Sequence, residues 1–373
     1  MTPAVARSGR AETRKKWCIR MKDIIAVTLG DRNGIGPEIT ARLMSDWKAS
    51  DAVVPVVVGD GAVFERACKV AGVSPSMRRI ASLTEARAGG SVPLFLDMPF
   101  AAPLDTVGQV SAAAGGEVLY TLEYLVGQAR LGTLDGIVYA PLNKQAMAIA
   151  GHVGADEAEL FGRLLEGEAS EINVLDKLST SRVTSHVPVG AVAGLITRET
   201  VLAAILRMRD FLLSIGVEQP RLAVAGLNPH AGEGGVFGKE EIEIIEPAIR
   251  ELNDQGMLVE GPFPADTIFP RVLKGGYDAI VTMYHDQGQI ALKLLGLGRG
   301  VTVIGGLCVP IATAGHGTAF DIAGKGIASA EGLAAALDLC VRIVAGRRAA
   351  HQQITNQLEG VALAPTHGEK NAE

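Results

Sequence analysis

Asp23-Ile24-Ile25-Ala26-Val27-Thr28-Leu29-Gly30-Asp31-Arg32-Asn33-Gly34-Ile35-Gly36-Pro37-Glu38 reads as a buried strand, a glycine-rich turn and the first turn of a helix. A near-continuous apolar run suits a strand covered on both faces. Pro37 suits the first helical turn, where its missing N–H costs nothing. The glycine spacing is not Gly-x-Gly-x-x-Gly, so the unit is βα without a dinucleotide fingerprint, and a Rossmann domain is disfavoured. Two readings of the loop stay open: a tight turn, or a cleft wall with Asp31 or Glu38 facing a ligand.

The same alternation continues outward. Strands are expected at Ala52 to Val58, Gly136 to Tyr139, Arg221 to Gly226, Ala279 to Met283 and Gly300 to Ile304. Helices are expected at Pro37 to Trp47, Ala62 to Ala71, Ser111 to Arg130, Asp156 to Leu165, Thr197 to Ser214, Lys239 to Gln255, Gln287 to Leu295 and Ala330 to Val344. This pattern specifies an α/β fold with a mainly parallel sheet. The chain has 373 residues, 48% hydrophobic, with 45 glycines and only 4% aromatics, enough for two α/β units with many tight turns. The formal net charge of -6 argues against nucleic-acid or anionic-membrane partners and leaves room for a small anionic substrate at a local cationic site.

The four cysteines, Cys18, Cys68, Cys308 and Cys340, form no Cys-x-x-Cys pair, as expected for reduced thiols in a cytoplasmic protein. No stretch is long and apolar enough to span a membrane. Residues 1–22 are a basic extension lacking a secretory apolar core, with Met21 a candidate start. Residues 361–373 read as a mobile tail.

Three of the chain's seven histidines follow apolar runs in polar settings: Thr184-Ser185-His186, Asn228-Pro229-His230 and Tyr284-His285-Asp286. Strand ends in α/β sheets face the ligand crevice, and three converging imidazoles would leave an open metal position. Singly, each could be an ordinary hydrogen-bonded histidine. Imidazoles suit zinc first, with cobalt, nickel or iron(II) as alternatives.

Gly315-His316-Gly317-Thr318-Ala319-Phe320-Asp321-Ile322-Ala323-Gly324 resembles the nicotinamide-cofactor loop of isocitrate and isopropylmalate dehydrogenases. That likeness assigns His316, Gly317, Thr318, Ala319, Asp321 and Gly324 to NAD binding. Over roughly residues 23 to 345 the chain resembles the 4-hydroxythreonine-4-phosphate dehydrogenase family. The shared motifs are the loop at 30–38, Pro141-Leu142-Asn143-Lys144, Asn228-Pro229-His230-Ala231-Gly232-Glu233-Gly234-Gly235, Ala265-Asp266-Thr267, Met283-Tyr284-His285-Asp286-Gln287-Gly288 with Lys293, and His316-Gly317-Thr318-Ala319.

The resemblance implies an isocitrate/isopropylmalate-dehydrogenase-like two-domain α/β/α fold. Residues 23–140 plus 300–360 would form the unit with the cofactor loop. Residues 141–299 would carry the metal ligands and dimer contacts. It further implies a homodimer with a shared active site, a divalent metal on His186, His230 and His285, and NAD-dependent oxidation of a hydroxyl followed by loss of a carboxylate. Lys293, Asp266 and Asp286 become the catalytic candidates, and Lys144 a substrate or cofactor contact.

Departures from the family fall at the substrate. Its Gly-His-Thr-Glu segment stands here as Asp156-Glu157-Ala158-Glu159, and its Asn and Arg contacts fall at Thr302 and Ile311. An isoleucine cannot replace a bidentate guanidinium clamp, and Glu157 would repel a phosphate. The expectation drawn from these positions is the terephthalate cis-dihydrodiol dehydrogenase branch: oxidative decarboxylation of a dihydrodiol carboxylate to 3,4-dihydroxybenzoate. Dehydrogenation of 4-phosphohydroxythreonine or a related phosphorylated hydroxy acid is the alternative. A non-catalytic metal- or cofactor-binding module is the reading from another class.

Overall fold

The computed structural model describes residues 22–362, apart from 51, 88–89, 102, 104–105, 155–156 and 297. The basic extension before Lys22 and the tail beyond 362 lie outside the described residues, as does Asp156.

Twelve strands form one sheet: β1 (Asp23–Thr28), β2 (Val53–Gly59), β3 (Arg78–Ile80), β4 (Leu94–Asp97), β5 (Gly136–Tyr139), β6 (Ser170–Leu175), β7 (Leu178–Arg182), β8 (Arg221–Ala225), β9 (Leu258–Phe263), β10 (Ala279–Thr282), β11 (Val301–Gly305) and β12 (Ile311–Ala314). Their order is β3-β4-β2-β1-β5-β12-β11-β6-β7-β10-β8-β9. The strands from β3 to β12 are mutually parallel, as are β7, β10, β8 and β9. At the centre β11 runs antiparallel to both β12 and β6, and β6 antiparallel to β7. The expected parallel sheet is thus two parallel halves of opposite polarity with an antiparallel seam.

Successive side chains of a strand point to opposite faces, and the two cores follow that rule. Ile25 and Val27 pack with Ile39, Leu43 and Phe64, and the same core takes in Ile205, Met208, Leu333 and Ile343. Ile24 and Ala26 belong to the opposite core, with Val118, Leu122, Leu125 and Phe161. Each fully buried Leu, Ile or Phe contributes about 1.5–3 kcal/mol, so the two cores hold helices against both faces of the sheet.

Several elements differ from expectation. Strands β3, β4, β6, β7, β9 and β12 and the helices Lys144–Ile149, Val189–Leu195 and Ala265–Leu273 are additional elements, the strands no longer than six residues and so too short for a clear period. The helix expected from Lys239 starts as a π-turn at Glu241–Ile245 before Glu246–Asp254. The last helix extends from Glu331 to Ala362. Among the described residues no single helix is long and apolar enough to cross a membrane. Val189–Leu195 and Arg198–Ser214 reach that hydropathy only as a pair bent by 93°, and the second buries Val201, Ile205, Met208 and Phe211 in the core.

Candidate active site

A cleft of roughly 350 Å³ opens over the antiparallel seam. Its floor is the face of the sheet rather than the strand ends: Glu171 and Asn173 of β6, Thr302 of β11 and Thr313 of β12. Lys144 and Glu157 stand on one side. The helix His285–Gly296 lends His285, Gln289 and Lys293 from another, and His316 and Gly317 reach the rim. Lys144, Glu157, His285, Lys293, Thr302, His316 and Gly317 are therefore brought together from segments far apart in sequence.

Other candidates stand elsewhere. Ile311 is 0% exposed within the core that holds Tyr139 and Phe161 and does not line the cleft. Asp266 lies exposed in the first turn of Ala265–Leu273. Asp286 faces away from the cleft lining and holds His285, whose Nδ1 lies 2.8 Å from the Asp286 carboxylate. A proton shared there leaves Nε2 as the lone-pair nitrogen.

The three histidines follow β7, β8 and β10, which are neighbours in the sheet and share one polarity. Beyond β7 the chain stays bonded to the end of β10, with Val183 N–H donating to Thr282 and Thr184 N–H to Met283. This pairing sets the rings of His186 and His285 5.5 Å apart, centre to centre. His230 lies in the loop after β8, where residues 230–234 all have positive φ, and its ring meets Phe237. Among the described residues no group of three His, Cys, Asp or Glu side chains is close enough to hold a metal. The three expected histidines therefore do not form one group among the described residues, although His186 and His285 adjoin.

The carboxylates of the cleft are already engaged. Glu157 lies 3.4 Å from Lys144 Nζ. Glu171 accepts from Arg182, a buried guanidinium whose Nε donates to Ser185 Oγ at 3.0 Å. The Glu171–Arg182–Ser185 chain joins the cleft floor to the segment carrying His186. Thr302 Oγ1 donates to Asn173 Oδ1 at 3.1 Å across the β6–β11 register. Asn173 is 8% exposed, and among the described residues its Nδ2 has no partner. Glu171 and Asn173 were missed in the sequence, although their spacing of two in Ser170–Leu175 marks one polar face of a strand.

The glycine loop at 30–38 supports the cofactor-type loop from beneath. Asp31 and Glu38 are 0% and 3% exposed, so the ligand-facing reading of these two is replaced by a structural one. Asp31 Oδ1 accepts the Asn33 N–H. Ile35 N–H donates to Thr318 carbonyl oxygen at 3.0 Å, Gly326 N–H donates to Glu38 Oε2 at 3.2 Å, and Arg42 donates to the Gly326 carbonyl. A Cβ on Gly34 would come within 2.9 Å of Thr318 Cβ, so only glycine permits this approach. Burial raises the Glu38 carboxyl above its usual range against the opposing pull of the Gly326 N–H. Of the cofactor candidates, Thr318 is buried, Ala319 has φ 43°, and Asp321 and Gly324 lie exposed.

Fold and cleft together define an α/β enzyme with a polar site on a sheet face beside a glycine-rich loop. The chain belongs to the family described as pyridoxal phosphate biosynthetic protein PdxA, whose match spans residues 51–340. A putative 4-hydroxythreonine-4-phosphate dehydrogenase 2 of Rhizobium meliloti (strain 1021) is 41% identical over 88% of this chain and 95% of its own. The structure of 4-hydroxythreonine-4-phosphate dehydrogenase from Klebsiella pneumoniae has a TM-score of 0.76 at 35% identity, covering 87% of this chain and 98% of that one. The chain is an oxidoreductase of the dehydrogenase class.

These likenesses overturn the dihydrodiol expectation. Terephthalate 1,2-cis-dihydrodiol dehydrogenase from Burkholderia xenovorans LB400 shares the fold at a TM-score of 0.60 and 29% identity, over 86% of this chain and 98% of that one. It is the more distant relative by both measures. The physical reason for the misreading is visible at Ile311: the residue is core, so its identity reports on packing and not on the charge of a ligand in the cleft.

Proposed function

We propose that the protein is an NAD-dependent dehydrogenase of a phosphorylated hydroxy acid of the 4-phosphohydroxythreonine type. The observation that carries this reading is the cleft itself. Lys144, Lys293 and the unpartnered Asn173 amide surround a polar floor next to the His316-Gly317 rim. Ammonium and amide donors are what a substrate with phosphate and carboxylate ends requires. Oxidation removes a hydride from the hydroxyl-bearing carbon to the nicotinamide and the hydroxyl proton to a base. Lys293 stands on the cleft wall where such a proton would be received. Where the oxidised carbon is β to a carboxylate, the ketone product loses CO2 with its bonding electrons delocalised into the carbonyl.

Further parts of the proposal rest on the family resemblance. The two α/β units at 23–140 with 300–360 and at 141–299 would be lobes of an isocitrate-dehydrogenase-like architecture. A divalent ion would polarise the reacting hydroxyl. Its site would draw on His186, His230 and His285, with a second copy of the chain in a homodimer sharing the active site. His186 adjoins His285, and Lys293 stands on the His285 helix, so His186→Ala and Lys293→Ala would damage the same copy's share of such a site and should not restore activity when mixed; recovery of activity would assign the two residues to different copies.

The deciding experiment follows NADH absorbance with 4-phosphohydroxythreonine and with its unphosphorylated form at equal concentration. The phosphorylated substrate should have the larger kcat/KM. Equal or better turnover without the phosphate would overturn the reading.

A further inference from the structure

The face of β11 opposite Thr302 borders a second cavity, of roughly 260 Å³. It lies between the helices Arg198–Ser214 and Glu331–Ala362, closed at one end by Gly305-Gly306-Leu307. Arg207 enters from the first helix and Arg347 from the second. The Arg207 side chain is 19% exposed, and its nearest carboxylate is Glu168 at 3.8 Å, which is 90% exposed. Among the described residues Arg207 makes no hydrogen bond, while Arg347 donates one, to the Cys308 carbonyl at 2.8 Å. Asp210 also lines the cavity, but its Oδ1 is held by Arg209 Nη2 at 2.6 Å and Nε at 2.9 Å.

The cavity therefore carries two guanidinium groups against one carboxylate, Asp210, which is held by Arg209 and also acts on Arg347. Burial pulls both arginines below their usual range, and arginine remains cationic at neutral pH regardless. Gly306 helps to create the arrangement. It has φ 82°, and a Cβ there would press on Arg207 Cδ at 3.2 Å. A half-buried cation left without hydrogen bonds is costly unless an anion supplies them.

We propose that this cavity is a binding site for a small doubly charged oxyanion, phosphate or a short dicarboxylate, clamped between Arg207 and Arg347 and separate from the catalytic cleft. The volume lies just below the span of about 300–1,000 Å³ typical for drug-sized ligands, so a small ion fits and a dinucleotide does not. The site sits behind β11, whose Val301 and Thr302 line the cleft while Val303, Ile304 and Gly305 line the cavity. One five-residue strand thus touches both ligand positions.

The test is calorimetric titration of the full chain with inorganic phosphate and, separately, with succinate. Wild type, Arg207→Gln, Arg347→Gln and the cleft variant Lys293→Ala are compared. Saturable binding of one anion that falls at least tenfold in both arginine variants and persists in Lys293→Ala is expected. Phosphate alone would assign a phosphate site, and succinate alone a carboxylate site. Binding lost in Lys293→Ala but kept in Arg207→Gln would place the anion in the cleft and overturn the proposal, as would no binding of either anion. Should a glutamine variant fail to fold, Arg207→Lys keeps the charge but loses the fork, and unchanged affinity in that variant also overturns it.

Discussion

Glu241 offers the most exacting check on how the histidine-bearing loop is held. It is 0% exposed. Its Oε1 accepts the backbone N–H of Leu227 at 2.8 Å and of Asn228 at 2.7 Å, and its Oε2 accepts Asn228 Nδ2 at 2.9 Å. Replacing it with leucine keeps the volume and removes every acceptor. Each backbone donor left unpaired in the interior costs about 1–3 kcal/mol, and hydrogen bonds to a charged group contribute about 1.5–3 kcal/mol. Two orphaned backbone donors set a loss of about 2–6 kcal/mol, and partial water entry favours the lower half, about 3 kcal/mol. Urea unfolding followed by far-UV circular dichroism measures this directly. Glu240→Leu, next in sequence and partly exposed, is the control, because its bond to this loop goes to the Asn228 side chain. A loss below about 1 kcal/mol for Glu241→Leu, or a loss no larger than in the control, would refute the assignment of loop anchoring to this carboxylate.

Asn173→Leu should lower kcat/KM for the phosphorylated substrate by roughly 5- to 100-fold while leaving the KM for NAD unchanged, since one amide donor is worth about 1–3 kcal/mol; unaltered steady-state kinetics would remove Asn173 from the substrate site. Burial raises the Glu38 carboxyl above its ordinary 4.5, so the folded state holds the proton more tightly than the unfolded chain. That contribution is complete below the unfolded pKa and is lost as pH rises through the folded one. Glu38→Gln should therefore gain stability relative to the parent as pH rises above the ordinary carboxyl range, and parallel pH profiles in thermal melts would contradict it. Cys340 is buried with its thiol pushed up to about 12, whereas Cys308 is exposed. A thiol reagent should modify Cys308 quickly and Cys340 only on unfolding; native-rate labelling of Cys340, read by peptide mass, would count against the packing.

The inner strands β1 and β5 of the first parallel half were legible because they are largely apolar and buried. Asp23–Thr28 and Gly136–Tyr139 are covered on both faces and stand within one residue of where their patterns place them. The seam was not legible, and for a functional reason. Ser170–Leu175 carries Glu171 and Asn173, which line the cleft, and Leu178–Arg182 carries the buried polar Ser179, Thr180 and Ser181, so the apolar signal of a strand is missing in β6 and β7. The histidines were identified with their strands, yet no spacing in the sequence could say that His186 and His285 adjoin while His230 stands off on a left-handed loop. At Ile311 a family position was read as ligand contact when burial makes it part of the core.

The contacts between the loops at 30–38 and 315–326 have a consequence for thermodynamics of association. Ile35 with Thr318, and Glu38 and Arg42 with Gly326, tie the rim loop at two points nine residues or fewer apart. Its backbone freedom is therefore given up when the chain folds and not when a ligand arrives. Fixing one residue's backbone costs about 1–2 kcal/mol of entropy, so a rim already ordered would bind with a smaller entropic penalty and a smaller heat-capacity change than one that had to fold around its guest.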